Sequence, residues 1–335
     1  MTSPAPIALS LGDPAGIGPE IVVAAWRALR GEGPVFAVVG DAATLVAVPG
    51  ARVQAITRVA DAGGVFADAL PVLDSPLASP AIPGRPTAAA ADRIIAWIET
   101  ATRLALSDEA SAVVTAPVAK ALLYQAGFKF PGHTEFLGAV APSREPDARG
   151  PIMMLAAGDL RVSLVTVHEP LARVPSLLTV DLIVNAGLIT ARALARDFAV
   201  ARPRLAVTGL NPHAGESGTI GREEADVIAP AVAQLRARGV AATGPHPSDS
   251  LFHAQARTAY DAVLCMYHDQ ALIPVKMLDF WSGVNITLGL PVVRTSPDHG
   301  TGFDIAGRGV ARPDSLIAAL RLAARIAANR AAAAA

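Results

Sequence analysis

Three histidines each close a strand-like run and stand beside turn residues: Val165-Thr166-Val167-His168-Glu169-Pro170, Leu210-Asn211-Pro212-His213-Ala214-Gly215-Glu216 and Met266-Tyr267-His268-Asp269-Gln270. A strand end that opens into a Pro or Gly turn is where an α/β fold presents side chains to a crevice. Three neutral imidazoles can hold a divalent metal and leave one coordination position open for a reacting group. His168, His213 and His268 are therefore the candidate metal ligands. Any one of them alone also reads as a packed or turn-capping residue. The remaining histidines, His133, His246, His253 and His299, lie among Pro, Gly, Ser and Asp residues. Those contexts suit substrate or cofactor loops as readily as metal, so these four rank lower.

Two glycine-rich segments could receive a ligand. Gly12-Asp13-Pro14-Ala15-Gly16-Ile17-Gly18-Pro19-Glu20 joins a strand to a helix, a place where backbone N–H groups and a helix N-terminus approach an anion. Its spacing is neither the Rossmann nor the Walker pattern, so a tight structural turn is the alternative. In His299-Gly300-Thr301-Gly302-Phe303-Asp304-Ile305-Ala306-Gly307-Arg308-Gly309, the glycines would admit a nucleotide against bare backbone. Asp304 could accept hydrogen bonds from its ribose or adenine. A surface loop with glycines at positive φ is the plainer reading. The basic candidates are Lys276 and Arg294, with Asn285 between them. Arg294 closes the run Leu-Pro-Val-Val-Arg, which would project it from a strand end, where a guanidinium suits bidentate binding of phosphate or carboxylate.

The elements that must position these groups alternate along the chain. Apolar, β-rich runs fall at residues 7–11, 35–39, 112–115, 161–167, 205–208 and 262–266, and amphipathic stretches at 19–29, 87–106, 177–197, 223–238 and 314–328. This alternation predicts α/β architecture. The 335 residues suit two domains, with chain crossings expected near 117–122 and 280–283 and hence a discontinuous first domain. Net charge is −1 with no basic block, which excludes the electrostatic attraction that nucleic-acid binding needs. A small-molecule partner is expected. The single cysteine, Cys265, reads as a buried strand residue and fits a reducing cytoplasm. No signal peptide is visible at the N-terminus, and charged or polar residues interrupt every apolar run short of a membrane span.

Taken in order, the motifs at 12–20, Pro131-Gly132-His133-Thr134-Glu135-Phe136-Leu137, residues 209–216, 266–270, Gly283-Val284-Asn285-Ile286-Thr287-Leu288-Gly289-Leu290-Pro291 and 294–301 carry a resemblance. Together they resemble the 4-hydroxythreonine-4-phosphate dehydrogenase family of vitamin B6 biosynthesis. The motifs run in family order from residue 10 to about residue 312. There are two departures. Asp13 stands where some members carry Glu, and His246 where many have an apolar residue.

The resemblance implies two α/β/α domains with a cleft between them, as in isocitrate and isopropylmalate dehydrogenases. Residues 1–120 with 281–335 would form the cofactor side, and 121–280 would form the metal, substrate and dimerisation side. It implies that His168, His213 and His268 bind one divalent metal (Zn, Mg or Co), and that His133, Thr134, Lys276, Asn285 and Arg294 bind substrate. NAD or NADP would lie near Gly300, Thr301, Gly302 and Asp304, and Lys276 or Asp249 would manage protons. The implied protein is a homodimer that shares each site, taking His168 and His213 from one subunit and His268 from its partner. The implied reaction oxidises the C3 hydroxyl of 4-phosphooxy-L-threonine and then decarboxylates to 3-amino-2-oxopropyl phosphate. Paralogues acting on 4-phosphothreonate or 4-phosphoerythronate are the alternative within enzymes, and a non-catalytic metal-dependent binder of phosphorylated metabolites is the alternative outside them.

Overall fold

The structure, a computed structural model, describes residues 4–130, 133–142 and 150–334; the side chains of residues 133–135 lie outside that description. The chain divides into two compact units, Met1–Pro142 with Leu290–Ala328, and Ser143–Gly289 with Asn329–Ala335.

The first unit is built on six parallel strands: β1 (Ile7–Ser10), β2 (Phe36–Gly40), β3 (Val53–Ile56), β4 (Leu70–Asp74), β5 (Val113–Thr115) and β12 (Arg294–Pro297), in the order β3-β4-β2-β1-β5-β12. Every residue of β1, β2 and β5 is buried, so helices cover both faces, as a parallel sheet requires. The helix Ala91–Leu106 packs on β1, β2 and β5 through Ile94, Trp97, Ile98 and Ala101. Strand order reverses at β1, since β2 lies on one side of it and β5 on the other. The glycine-rich turn after β1 therefore stands at a topological switch point, where α/β sheets take ligands.

The second unit has a mixed sheet of β6 (Ile152–Ala157), β7 (Leu160–Leu164), β8 (Arg204–Thr208), β9 (Ala241–His246), β10 (Ala262–Cys265) and β11 (Val284–Leu288), in the order β11-β6-β7-β10-β8-β9. β11, β6 and β7 pair antiparallel, whereas β7, β10, β8 and β9 run parallel. The helix His268–Leu278 seals one core against β6, β7 and β10 with Ala271, Leu272 and Val275. Cys265 lies within that core, and burial pushes its thiol pKa up, as suits an inert packing residue.

The crossings between units differ from those expected. The helix His133–Val140 stays with the first unit because it packs on the helix Ala91–Leu106 and buries Phe136 and Leu137. At the return, β11 pairs with β6, which holds residues up to Gly289 in the second unit. Asn329 to Ala335 also belongs there, because Arg330 and Asn329 bind the end of the helix Val180–Asp197. Among the described residues, no single helix is long and apolar enough to cross a membrane.

Asp197 is 1% exposed and receives Nε and Nη2 of Arg330 at 2.7 and 2.9 Å, with Arg196 Nε at 2.7 Å. Burial alone would raise its pKa, but the Arg330 and Arg196 guanidiniums outweigh that and hold it below the usual carboxylate range. A depressed folded-state pKa contributes stability that is present above the unfolded value of about 3.9 and is lost as pH falls through the folded one. Arg330→Ala should therefore cost roughly 2 kcal/mol at pH 7 by urea denaturation, less than a fully broken buried pair because Arg196 remains. In Asp197→Asn, this acid-side loss should disappear.

Candidate functional site

In the second unit, hydrogen-bond register brings the histidine-bearing loops to one edge. β7 and β10 align Cys265 with Leu164, and β10 and β8 align Leu264 with Val207, so three adjoining parallel strands end nearly level. The β7–β10 ladder continues past both strands: Val165 N–H donates to Cys265 O at 2.9 Å, and Thr166 donates to Met266 O through its N–H (3.2 Å) and its hydroxyl (2.7 Å). The His168 and His268 rings consequently lie 5.7 Å apart, centroid to centroid. The expected division placed these two imidazoles in different subunits. The two rings adjoin within this one chain. Among the described residues, no three His, Cys, Asp or Glu side chains are grouped so as to hold a metal ion, so His213 does not complete a trio with that pair.

The donor chemistry fits a divalent cation. Asp269 lies 2.7 Å from His268 Nδ1, and Glu216 lies 3.0 Å from His213 Nδ1. A carboxylate at Nδ1 favours the Nδ1–H tautomer and leaves the Nε2 lone pair for a cation. The lower-ranked histidines have local partners instead. His246 Nε2 meets the Thr243 hydroxyl at 2.9 Å, His253 Nδ1 accepts the Ala256 N–H, and His299 Nδ1 lies 3.0 Å from Gly300 O.

Gln270 ties the strand ends together. Its Oε1 accepts the Met266 N–H (2.7 Å) and the Thr208 hydroxyl (2.9 Å), while Nε2 donates to Gly209 O (2.7 Å) and Ser248 Oγ (2.6 Å). This buried amide therefore links β8, β10 and the exposed segment carrying Asp249. Lys276 shares a helix with His268, and its Nζ lies 5.3 Å from the Phe280 ring centroid. On β11, Asn285 Oδ1 is buried and has no hydrogen-bond partner, an acceptor that suits a ligand donor.

In the first unit the two glycine-rich segments, separate in sequence, meet. Ile17 N–H donates to Thr301 O at 2.8 Å, and a Cβ at Gly16 would lie 2.7 Å from that oxygen, so only glycine permits this approach. Gly302 takes a positive φ of 52° beside Ile17, and Glu20 accepts the N–H groups of Gly307 and Gly309. A cavity of about 500 Å³ opens there, lined by Pro14, Gly16, Glu20, Val48, Gly307 and Arg308. Gly300 and Asp304 are exposed beside it in sequence. A second cavity of about 340 Å³ is lined by Asp13, Leu77, Ser79, Arg85 and Thr87. Asp13 is buried, its Oδ1 accepts the Ala15 N–H at 3.0 Å, and its Oδ2 has no hydrogen-bond partner. Burial raises its pKa against the opposing Ala15 bond.

Arg294 differs from its expected setting. It begins β12 instead of closing a strand, is 2% exposed, and donates through Nη2 to Thr115 Oγ1 at 2.6 Å. Burial pulls its pKa down to about 10. His133 and Thr134 open the helix His133–Val140, and their side chains lie outside the described residues. Sequence reading missed Glu216, Asp269 and Gln270. The signals were faint: a carboxylate next to or one turn after a histidine, and one glutamine before a buried apolar stretch.

The family model described as pyridoxal phosphate biosynthetic protein PdxA matches residues 34–323. A 4-hydroxythreonine-4-phosphate dehydrogenase of Caulobacter vibrioides is 65% identical over 327 residues, covering 97% of this chain and 98% of the relative. One from Erythrobacter litoralis is 56% identical over 334 residues, covering 97% and 98%. The crystal structure of 4-hydroxythreonine-4-phosphate dehydrogenase from Klebsiella pneumoniae aligns with a TM-score of 0.84 at 40% identity, over 96% of this chain and 99% of that one.

Arg294 gives a direct test of anion binding at this position. Arg294→Lys keeps the charge but loses the planar fork, and should raise KM for an anionic substrate roughly 10- to 100-fold. Thr115→Val removes only the Nη2 contact and serves as the control. Unchanged KM and kcat in Arg294→Lys would leave Arg294 a structural residue.

Proposed function

The chain belongs to the PdxA family of pyridoxal phosphate biosynthetic proteins, and from that membership we propose that it oxidises 4-hydroxythreonine 4-phosphate with NAD or NADP at a divalent metal centre. The observation that carries the reading is the pairing of His168 with His268 at adjoining strand ends, in a chain alike along nearly its whole length to dehydrogenases of that name. Oxidation transfers hydride from C3 to the nicotinamide ring and the hydroxyl proton to a base. The resulting β-keto acid loses CO2 and takes up a proton to give 3-amino-2-oxopropyl phosphate.

His168, His213 and His268 would hold the cation, with Asp269 and Glu216 orienting His268 and His213. A divalent ion there supplies Lewis acidity at the C3 oxygen, which favours both hydride loss and decarboxylation. Arg294, with His133 and Thr134, would grip the anionic groups of the substrate, and the buried Asn285 Oδ1 would accept from one of its donors. Lys276 or Asp249 would carry the proton. The cofactor would lie along the paired glycine segments, where Gly300, Thr301 and Gly302 offer backbone without steric bulk and Asp304 offers a ribose or adenine partner. Glu20, by holding Gly307 and Gly309, would keep that surface in shape.

A homodimer with shared sites is part of this reading. Ile273 and Met277 lie one turn apart on the helix His268–Leu278 and are 67% and 86% exposed, and the exposed Phe280 and Trp281 rings follow at a 5.2 Å centroid spacing. So much exposed apolar surface suits a second copy. Because His168 and His268 pair within one chain, the proposed division takes those two from one subunit and His213 from its partner.

Chelation should abolish turnover, and adding back a divalent metal should restore it; full activity in verified metal-free protein would sink the metal reading. Subunit division is tested by co-expressing inactive variants. His168→Ala with His213→Ala should recover about a quarter of wild-type activity, since half the dimers are mixed and each has one intact site. His168→Ala with His268→Ala should recover nothing. The reverse result would restore the division expected from the resemblance, and no recovery in either mixture would reject the shared site.

A further inference from the structure

We propose that Glu224 is a positioning residue for the metal centre, its buried carboxylate holding the left-handed turn that carries His213; this rests on the proposed role of His213 as a ligand. Residues 213 to 217 have φ values of 51°, 51°, 79°, 43° and 58°. Only Gly215 adopts such backbone freely. For His213, Ala214, Glu216 and Ser217, which carry a Cβ, it is strained. Local preference therefore opposes the turn, and something outside it must hold it.

Glu224 meets that need. It is 5% exposed, and its Oε1 accepts the N–H groups of Leu210 and Asn211, both at 2.7 Å. Its Oε2 accepts Asn211 Nδ2 at 3.0 Å, and Glu223 takes the same amide at 2.7 Å. The turn packs directly on the carboxylate: a Cβ added at Gly215 would lie 2.5 Å from Glu224 Oε2 and 3.0 Å from Gly221 O. Burial opposes the charge, but the Asn211 and Leu210 donors outweigh it and hold the carboxyl below its usual range. These donors lie in the two residues before Pro212 and His213. Glu224 also opens a π-helical segment, Glu224–Ile228. The helix that follows has its own anchors in Ile228, Ala231, Val232 and Leu235.

Glu224→Gln keeps the volume and one oxygen but places an amide donor against the Asn211 amide. The test is Co2+ affinity, by calorimetric titration of the full-length metal-free protein, for wild type, His213→Ala, Glu224→Gln and the double variant. Thermal unfolding is run alongside. Glu224→Gln should weaken Co2+ binding roughly 10- to 100-fold, the usual effect of losing support behind a ligand. In the His213→Ala background it should cause no further loss, because it acts only through that imidazole. Wild-type affinity in Glu224→Gln, or an equal further loss in the double variant, overturns the proposal. Wild-type affinity in His213→Ala removes the premise itself, which is a separate result from the first. Should Glu224→Gln fail to fold, Asn211→Ala deletes only the side-chain tether. It should weaken Co2+ binding severalfold, and unchanged binding there overturns the proposal equally.

Discussion

The parallel register of β7, β10 and β8 is the constraint on which the placement of His168 beside His268 rests. Backbone hydrogen bonding fixes that Cys265 sits beside Leu164 and Leu264 beside Val207, and everything the three strands carry beyond their ends follows. A one-residue slip in a sheet turns each side chain to the opposite face. In β7 and β10 such a slip would carry Val162 and Val263 out of the core they share while moving His168 away from His268. Core packing and site assembly thus select the same alignment, and Gln270 adds four hydrogen bonds that are satisfied only when the strand ends are level. A fully bonded buried amide of this kind penalises alternatives more than it stabilises the native state, because any shift leaves donors or acceptors stranded.

The first unit solves a different problem with different means. At the switch point after β1 there is no pair of imidazoles, only backbone brought unusually close. Gly12 would place a Cβ 2.5 Å from Pro117 O, and Gly16 would place one 2.7 Å from Thr301 O. These glycines are required by neighbouring main chain, and the approach they permit turns two loops into one surface. Asp13 is the polar exception, a buried carboxyl with one oxygen satisfied by Ala15 and the other facing no partner.

The apolar strands and the long helices were legible because period and caps announce them. β1, β2, β5, β7, β8 and β10 lie where apolar runs stand, and the helices Gly18–Leu29, Val180–Asp197 and Asp314–Ala334 lie within a few residues of the periodic stretches. β12 was not legible, since the apolar run Leu-Pro-Val-Val places a strand before Arg294, whereas the strand begins there. It is fully buried, because Thr295 Oγ1 donates to Ala319 O at 2.9 Å and Arg294 reaches Thr115. β3 is an edge strand with little burial, and β9 contains Gly244 and Pro245, which disguise it. At the site, residue types gave the three imidazoles, but which two adjoin depends on strand order, and strand order is a property of the assembled sheet. Glu224 was illegible for the same reason, since its carboxylate is committed to backbone N–H groups at Leu210 and Asn211.

Within the proposed reaction, the metal cannot distinguish an amino acid substrate from a hydroxy acid, because both present the same C3 hydroxyl. Discrimination must come from groups that meet C2, where one substrate carries an ammonium and the other a hydroxyl. Asn285 Oδ1 is a buried acceptor without a protein donor, so it favours whichever ligand group donates more strongly. A charged donor gives a hydrogen bond about twice as strong as a neutral one. An acceptor in that position therefore favours the ammonium, and an amide achieves this without the desolvation cost that a second buried carboxylate would carry. In the proposed site, Asn285 placed at C2 would favour 4-hydroxythreonine 4-phosphate over 4-phosphothreonate or 4-phosphoerythronate, and selectivity would then rest on one uncharged side chain on β11 and not on the imidazoles.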